Sequence, residues 1–230
     1  MQNPLKKLSR GEVALWSISA CTVLLSYLLS PVQNLYNLLA SLIGVTALIF
    51  VAKGMVLGQI LTVIFSVFYG TISFFFGYYG EMITYLCMTT PIAIMSVISW
   101  LKNPYGDTDE VTVSRMTRRQ TARMILLAMM ITVAFYFILR KIGNANLLFS
   151  TLSIATSFMA SYMTVMRSPY YALGYAANDV VLIVLWAQAS AVSLSYLPMV
   201  LCFIMFLAND LYGFYNWCRI EKRQGVGKSK

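Results

Sequence analysis

Histidine is absent from the 230 residues. That removes the commonest protein ligand of zinc and the commonest general acid or base of enzymes. Charge is nearly as scarce, at 11% of the chain with only eight acidic residues, where soluble domains run near a quarter charged. The four cysteines, Cys21, Cys87, Cys202 and Cys218, are widely separated, and three lie inside apolar runs. They build neither a disulfide framework nor a zinc knuckle and read as packing residues. No glycine-rich phosphate loop is present either, so the chain carries no nucleotide-driven energy source of its own.

What fills the sequence instead is hydrocarbon. The hydrophobic set makes up 59% of the residues and the mean hydropathy is +0.72, so water is not the main solvent. The net charge of +9 does not point to nucleic acid, because the basic residues sit between apolar stretches rather than on one water-exposed face. A basic start followed by an apolar run from Glu12 to Ser30 resembles a signal peptide but lacks a small-x-small cleavage site. It reads as a retained first helix.

A spanning helix needs roughly 20 apolar residues. Apolar runs and their charged or Gly/Pro punctuation predict eight transmembrane helices at about 12–30, 34–53, 55–77, 82–101, 122–141, 145–166, 168–189 and 194–217. The one long polar connection is 102–121, and 218–230 forms a basic tail. The whole is a single all-α membrane domain, 1–230. With both termini on one side, that side collects Lys6, Lys7, Arg10, Lys53, Lys102, Arg115, Arg118, Arg119, Arg123, Arg167, Arg219, Lys222, Arg223, Lys228 and Lys230, which is 15 of the 17 basic residues. Only Arg140 and Lys141 fall opposite. The positive-inside rule then puts both termini in the cytoplasm of a multi-pass cytoplasmic-membrane protein. The stretch Arg115 to Arg123 reads as a topology and lipid-headgroup anchor.

Two helices open alike: Asn37-Leu38-Leu39-Ala40-Ser41 and Asn146-Leu147-Leu148-Phe149-Ser150. The blocks that follow end at Trp100 and Trp217, and each carries a basic residue at its first inner turn, Lys53 and Arg167. The chain therefore reads as one extra N-terminal helix, a three-helix repeat (34–101), a linker helix (122–141) and a second repeat (145–217). The repeats run parallel, as in the SWEET-type 3+1+3 core of sugar carriers.

Polar groups inside apolar spans need a cavity or a partner, since a carboxylate at the bilayer centre costs about 2.5–3.5 kcal/mol on insertion scales. Asp179 and Asp210 are two of the eight acids and both lie within spans. Helical spacing aligns Tyr171, Tyr175 and Asn178, and likewise Tyr175, Asp179 and Trp186, on the seventh helix. The eighth aligns Asn209, Tyr212 and Asn216. The third carries a polar stripe of Gln59, Thr62, Ser66, Tyr69 and Ser73. Aimed inward, this set suits a flat ring bearing hydroxyls, with aromatic planes stacking on the ring and amides and carboxylates holding the polar groups. The substrate-binding set read from the sequence is Gln59, Ser66, Tyr69, Tyr171, Tyr175, Asn178, Asp179, Trp186, Asn209, Asp210, Tyr212 and Asn216, with no catalytic residue, no metal site and no cofactor. Trp16, Trp100, Tyr78 and Tyr79 read as an interfacial aromatic belt, Glu81 as a solvated residue of an outer turn, and Gln188 as an outer-face residue.

The stretches Tyr78-Tyr79-Gly80-Glu81, Ser99-Trp100-Leu101-Lys102-Asn103-Pro104 followed by Glu110-Val111, and Tyr212-Gly213-Phe214-Tyr215-Asn216-Trp217 resemble the PnuC-type vitamin transporters, over about residues 12–220. The resemblance implies a SWEET-like core, trimers, and import of nicotinamide riboside or a related nucleoside-like vitamin. Diffusion would be facilitated and made one-way by phosphorylation inside the cell. Family pockets place an aromatic, typically tryptophan, three residues before a polar residue on the penultimate helix; Tyr175 and Asn178 match that spacing, with tyrosine in place of tryptophan and Asp179 added. Relatives that prefer thiamine or deoxynucleosides leave those substrates as alternatives. Two rivals are the membrane substrate-binding subunit of an ATP-driven vitamin importer and a membrane enzyme using Asp179 and Asp210 as a pair. The enzyme lacks any histidine, metal cluster or activated nucleophile.

Overall fold

The structure is a computed structural model describing residues 7–29, 35–75, 79–144, 146–194 and 197–226, with residue 37 described by its backbone only. Lys6, Tyr78, Lys228, Lys230 and the side chain of Asn37 lie outside the described residues. Among those described there are eight helices: α1 (Arg10–Leu29), α2 (Leu35–Ala52), α3 (Val56–Phe75), α4 (Tyr79–Leu101), α5 (Arg118–Lys141), α6 (Leu147–Val165), α7 (Tyr171–Val192) and α8 (Leu197–Arg223). Seven are long and apolar enough to cross a membrane, and Leu38–Ala52 within α2 is a shorter apolar helix.

The helix ends have local causes. Ser9 and Glu12 form a capping box at the start of α1, and Thr117 with Gln120 forms another at α5, satisfying backbone donors that a helix start leaves open. The second box starts α5 four residues before hydropathy alone predicts. At its other end α5 stops on Gly143, at φ 70°, with Asn144 N–H closing back on the Leu139 carbonyl at 2.9 Å. Within α4, Pro91 has no N–H to give and its ring crowds the preceding turn. The helix widens there into a π-helical turn over Thr84–Thr89, with the Thr90 N–H reaching the Tyr85 carbonyl. Helix α8 runs six residues past Trp217, because its charged last turns leave the apolar zone and bond to the 102–117 connection.

Packing closes a ring. Helix α2 lies on α3, α3 on α4, α4 on α6, α6 on α7, α7 on α8, and α8 on α2. Helix α1 sits outside against α2 and α8, and α5 sits outside against α6, with Leu139 of α5 reaching the start of α4 at Gly80.

Two matching sets of contacts recur at the end of the ring that carries the 102–117 connection and most basic residues, here termed the basic end. Trp217 Nε1 donates to the Val51 carbonyl at 2.9 Å and Asn216 Nδ2 to the next carbonyl, Ala52. Trp100 Nε1 donates to the Thr164 carbonyl at 2.9 Å and Ser99 Oγ to the next, Val165. The turns that follow match as well. Gly54 (φ 67°) and Arg167 (φ 56°) both adopt left-handed backbone, and their carbonyls accept from Val111 N–H and Ser114 N–H of the one connection. Gly54 and Arg167 are 113 positions apart, four more than the 109 that separate Asn37 from Asn146. The shared Asn-Leu-Leu openings are thus one helical turn out of step with the structural correspondence.

Gly58 marks where α3 begins against α2. A Cβ there would overlap the Val51 backbone nitrogen and stand 2.8 Å from the Phe50 carbonyl carbon, and neither atom can swing aside. Gly58→Ala is expected to cost roughly 1–3 kcal/mol, the range for forced overpacking. A thermal midpoint equal to the parent's in detergent would contradict this close approach.

Candidate functional site

The interior of the ring is polar and aromatic where its outside is apolar. Helices α4 and α7 are not neighbours in the ring, yet Tyr85 of α4 lies close enough to Tyr175 and Asp179 of α7 to interact electrostatically. These side chains face one another across the middle. On the α3–α4 side, Tyr69 and Tyr85 pack edge to face at 4.7 Å, with Phe65 at 5.7 and 5.8 Å from the two rings. Tyr69 Oη donates to Glu81 Oε2 at 3.0 Å. On the α7–α8 side, Tyr175 Oη shares a 2.8 Å hydrogen bond with Ser161 Oγ, and its ring lies 6.2 Å from that of Tyr171.

Between these walls, Asp179 and Asp210 are 4% and 5% exposed and lie close enough across α7 and α8 for their carboxyls to interact. Two buried carboxyls this close, with no cation beside them, share a proton rather than carry two full negative charges. Asp179 Oδ2 is buried with no hydrogen-bond partner. Cys202 lies beside Asp179. Tyr69, Glu81, Tyr85, Tyr175 and Cys202 are half-buried.

The sequence profile of the nicotinamide mononucleotide transporter family matches residues 34–219. The chain belongs to that family. It is similar to the nicotinamide riboside transporter PnuC of Neisseria mucosa, 27% identical over 190 residues that cover 80% of this chain and 72% of that protein. It is also similar to the nicotinamide riboside transporter PnuC of Haemophilus influenzae, 23% identical over 188 residues, 81% of this chain and 80% of that one. A crystal structure of the vitamin B3 transporter PnuC superposes with a TM-score of 0.77 at 23% identity, covering 94% of both chains. The chain is therefore a multi-pass membrane transporter with the PnuC fold.

In this transporter the residues picked from the sequence divide by location. Tyr69, Tyr175, Asp179 and Asp210 meet in the ring interior. Tyr171 sits at its basic-end floor, 4.9 Å from the Trp217 ring and in contact range of Gly213. Asn178 turns to α6, where Ser153 Oγ and Thr156 Oγ1 both donate to its Oδ1 at 2.9 Å. The α8 stripe faces away from α7: Asn209 Nδ2 donates to Ser19 Oγ of α1 at 2.8 Å, Tyr212 Oη to Glu12 at 2.7 Å, and Asn216 to the end of α2. Ser66 is buried at the α3–α4 contact, accepting from Thr90 Oγ1 at 2.9 Å. Gln59 is buried at 3% exposure. Trp186 is half-buried, two turns beyond Asp179 and further from the basic end, and Gln188 is exposed.

Three readings of the sequence change. Glu81 is not a solvated turn residue but a half-buried acceptor for Tyr69. Trp100 is not a belt residue: it is fully buried and lies 5.4 Å from Trp217. Trp16 packs beside Ile49 and Phe50 and donates to Thr46 Oγ1 at 3.1 Å, while Tyr79 is exposed. Cys202, a packing residue by sequence, neighbours the carboxyl pair, Glu12 is a buried ion-pair partner rather than the start of an apolar run, and Tyr85 joins the set without a sequence assignment. Glu81 and Tyr85 stand four apart, the same-face spacing used for the other stripes, and that signal was available for Tyr85.

The floor of the ring is sealed. Val51, Trp100, Val111, Val113, Tyr171, Ala172, Trp217 and Ile220 form one buried cluster at the basic end. The segment 111–114 is held across it by Gln224, which donates to the Val111 carbonyl and accepts from Val113 N–H. Arg115 pairs with Glu221, and that partner raises the arginine's pKa. Arg223 pairs with Glu110. The Arg167 guanidinium, half-buried, bonds the Thr112 carbonyl and Ser99 Oγ; burial lowers its pKa, but a guanidinium stays protonated. A recess of about 620 Å³ opens at this same end, lined by Lys7, Lys53, Asp107, Asp109, Glu110 and Arg223 among others, and its mixed charges set it apart from the interior site.

Proposed function

We propose that this chain is a facilitator that imports nicotinamide riboside through the middle of the helix ring. The observation that carries the reading is the buried Asp179–Asp210 pair walled by the Tyr85 and Tyr175 rings. A pyridinium is a flat cation, and anionic and aromatic neighbours in a site shielded from water are what such a cation binds. The same observation favours thiamine, whose thiazolium is also cationic, as the second reading, and it counts against uncharged deoxynucleosides. The rival role as a binding subunit needs partner ATPases, so uptake by the purified chain alone excludes it.

Alternating access follows from two parallel three-helix repeats, α2–α4 and α6–α8, rocking about the site. The matched Trp100 and Trp217 contacts support that 3+1+3 division, with α1 as the extra helix and α5 as the linker. The grouping of basic residues at one end supports cytoplasmic termini, so the sealed floor is the cytoplasmic gate. Phosphorylation of the product inside traps it, and the chain itself performs no chemistry. The trimer rests on the resemblance to the family.

Proteoliposomes holding the purified chain should take up nicotinamide riboside to equilibrium without added nucleotide. Tyr175→Ala should lower uptake by roughly tenfold, the size of one shielded cation–π contact with its hydroxyl bond. Uptake of neither nicotinamide riboside nor thiamine by folded protein would sink the reading.

A further inference from the structure

Buried ionised groups in proteins are paired with opposite charge or hold a cation. The Asp179–Asp210 pair has no such partner among the described residues. From α4 it is faced by the Tyr85 phenol, from α7 by the phenols of Tyr171 and Tyr175, and from α8 by the Cys202 thiol. Helix α6 presents only hydroxyls towards α7, those of Ser153, Thr156 and Ser161. Glu12 of α1 is bound both to Lys53, just past the end of α2, and to Tyr212 of α8 at the basic end. None of these carries a positive charge to the pair. Asp179 Oδ2 is buried with no amide, hydroxyl or ammonium donor bonded to it.

We infer that the carboxyl pair is a cation-exchange site, at which the arriving cationic ring displaces the proton shared by Asp179 and Asp210. The O–H bond of the protonated carboxyl breaks, the proton leaves to solvent, and the substrate's single positive charge takes its place beside the two carboxylates. The pair and its occupant carry one net negative charge before binding, as a carboxylate beside a protonated carboxyl, and the same net charge after, as two carboxylates beside one cation. The consequence is that affinity falls as the medium becomes acidic, and that a proton gradient biases the direction of transport. This rests on the proposed binding of a cationic vitamin at the same site.

The test is calorimetric titration of the full-length protein in detergent at pH 7 with nicotinamide riboside and with thiamine. Each titration is run in two buffers of different ionisation enthalpy, so that the heat difference counts protons. About one proton should be released per ligand bound. Reduced dihydronicotinamide riboside, which is uncharged, should bind at least tenfold more weakly and release none. Asp179→Asn, which preserves shape, should bring release close to zero. In proteoliposomes, an acidic interior should speed uptake several-fold over symmetric pH. Binding of either cationic ligand by the wild-type protein with no proton release would overturn the exchange while leaving the transport reading intact. Failure of both ligands to bind at any pH would overturn the two together.

Discussion

Trp217→Ala is expected to lower the stability of the purified protein by roughly 3–5 kcal/mol, the range for truncating a buried tryptophan. The side chain is fully buried, lies tilted against Trp100 at 5.4 Å and edge to face with Tyr171 at 4.9 Å, and bonds the Val51 carbonyl. Trp100→Ala should cost a similar amount, because its bond to Thr164 is the counterpart of the bond from Trp217 to Val51. The double variant should cost clearly less than the two losses added, since touching residues couple. Trp217→Phe keeps most of the apolar area and loses the indole donor, so it should cost about 1–2 kcal/mol. The fraction of protein that stays monodisperse after heating measures all four. Equal midpoints for wild type and Trp217→Ala would show that the floor of the ring is not packed as described. Liposomes holding the alanine variants should also leak small solutes that are not substrates, because these rings close the basic end.

Glu12→Gln is the second large loss expected, roughly 3 kcal/mol or more. Glu12 is 3% exposed and ties three segments together: it caps α1 through Ser9, accepts from Lys53 Nζ, just past the end of α2, at 3.0 and 3.1 Å, and accepts from Tyr212 Oη of α8 at 2.7 Å. Neutralising it leaves the largely buried Lys53 ammonium without its counter-charge. Lys53→Met should hurt for the converse reason. Combining the two removes both charges, and the double variant should recover most of the stability lost by either one alone. Additive losses in the thermal midpoints would mean that the two side chains do not act as a pair.

Much of the fold was legible because lipid imposes a coarse rule on sequence. Eight apolar segments, the long polar connection and the one-sided distribution of basic residues could all be read directly, and α1 to α8 lie over the predicted segments. Asp179 and Asp210 stood out because a carboxylate in a span is costly and so needs a reason. Their pairing did not, since they lie on separate helices and helical spacing relates only residues of one helix. Trp100 and Trp217 were visible as matched block ends, yet Trp100 was assigned to the lipid interface. An aromatic near a helix end has the same local sequence whether it faces headgroups or a neighbouring helix. The eighth-helix stripe illustrates the same gap: Asn209, Tyr212 and Asn216 do share a face, but that face meets α1 and α2 rather than the interior.

From its residues alone this chain was bound to be a helical membrane protein with one basic end and two carboxyl groups held at depth. Periodicity sets which side chains share a helix face, whereas the direction in which that face points is set by packing. In water, apolar faces turn inward and polar faces outward, so the direction can be guessed. In a bilayer the lipid is as apolar as the helix contacts, that guide disappears, and only the closed ring of α2, α3, α4, α6, α7 and α8 decided which polar groups look into the path.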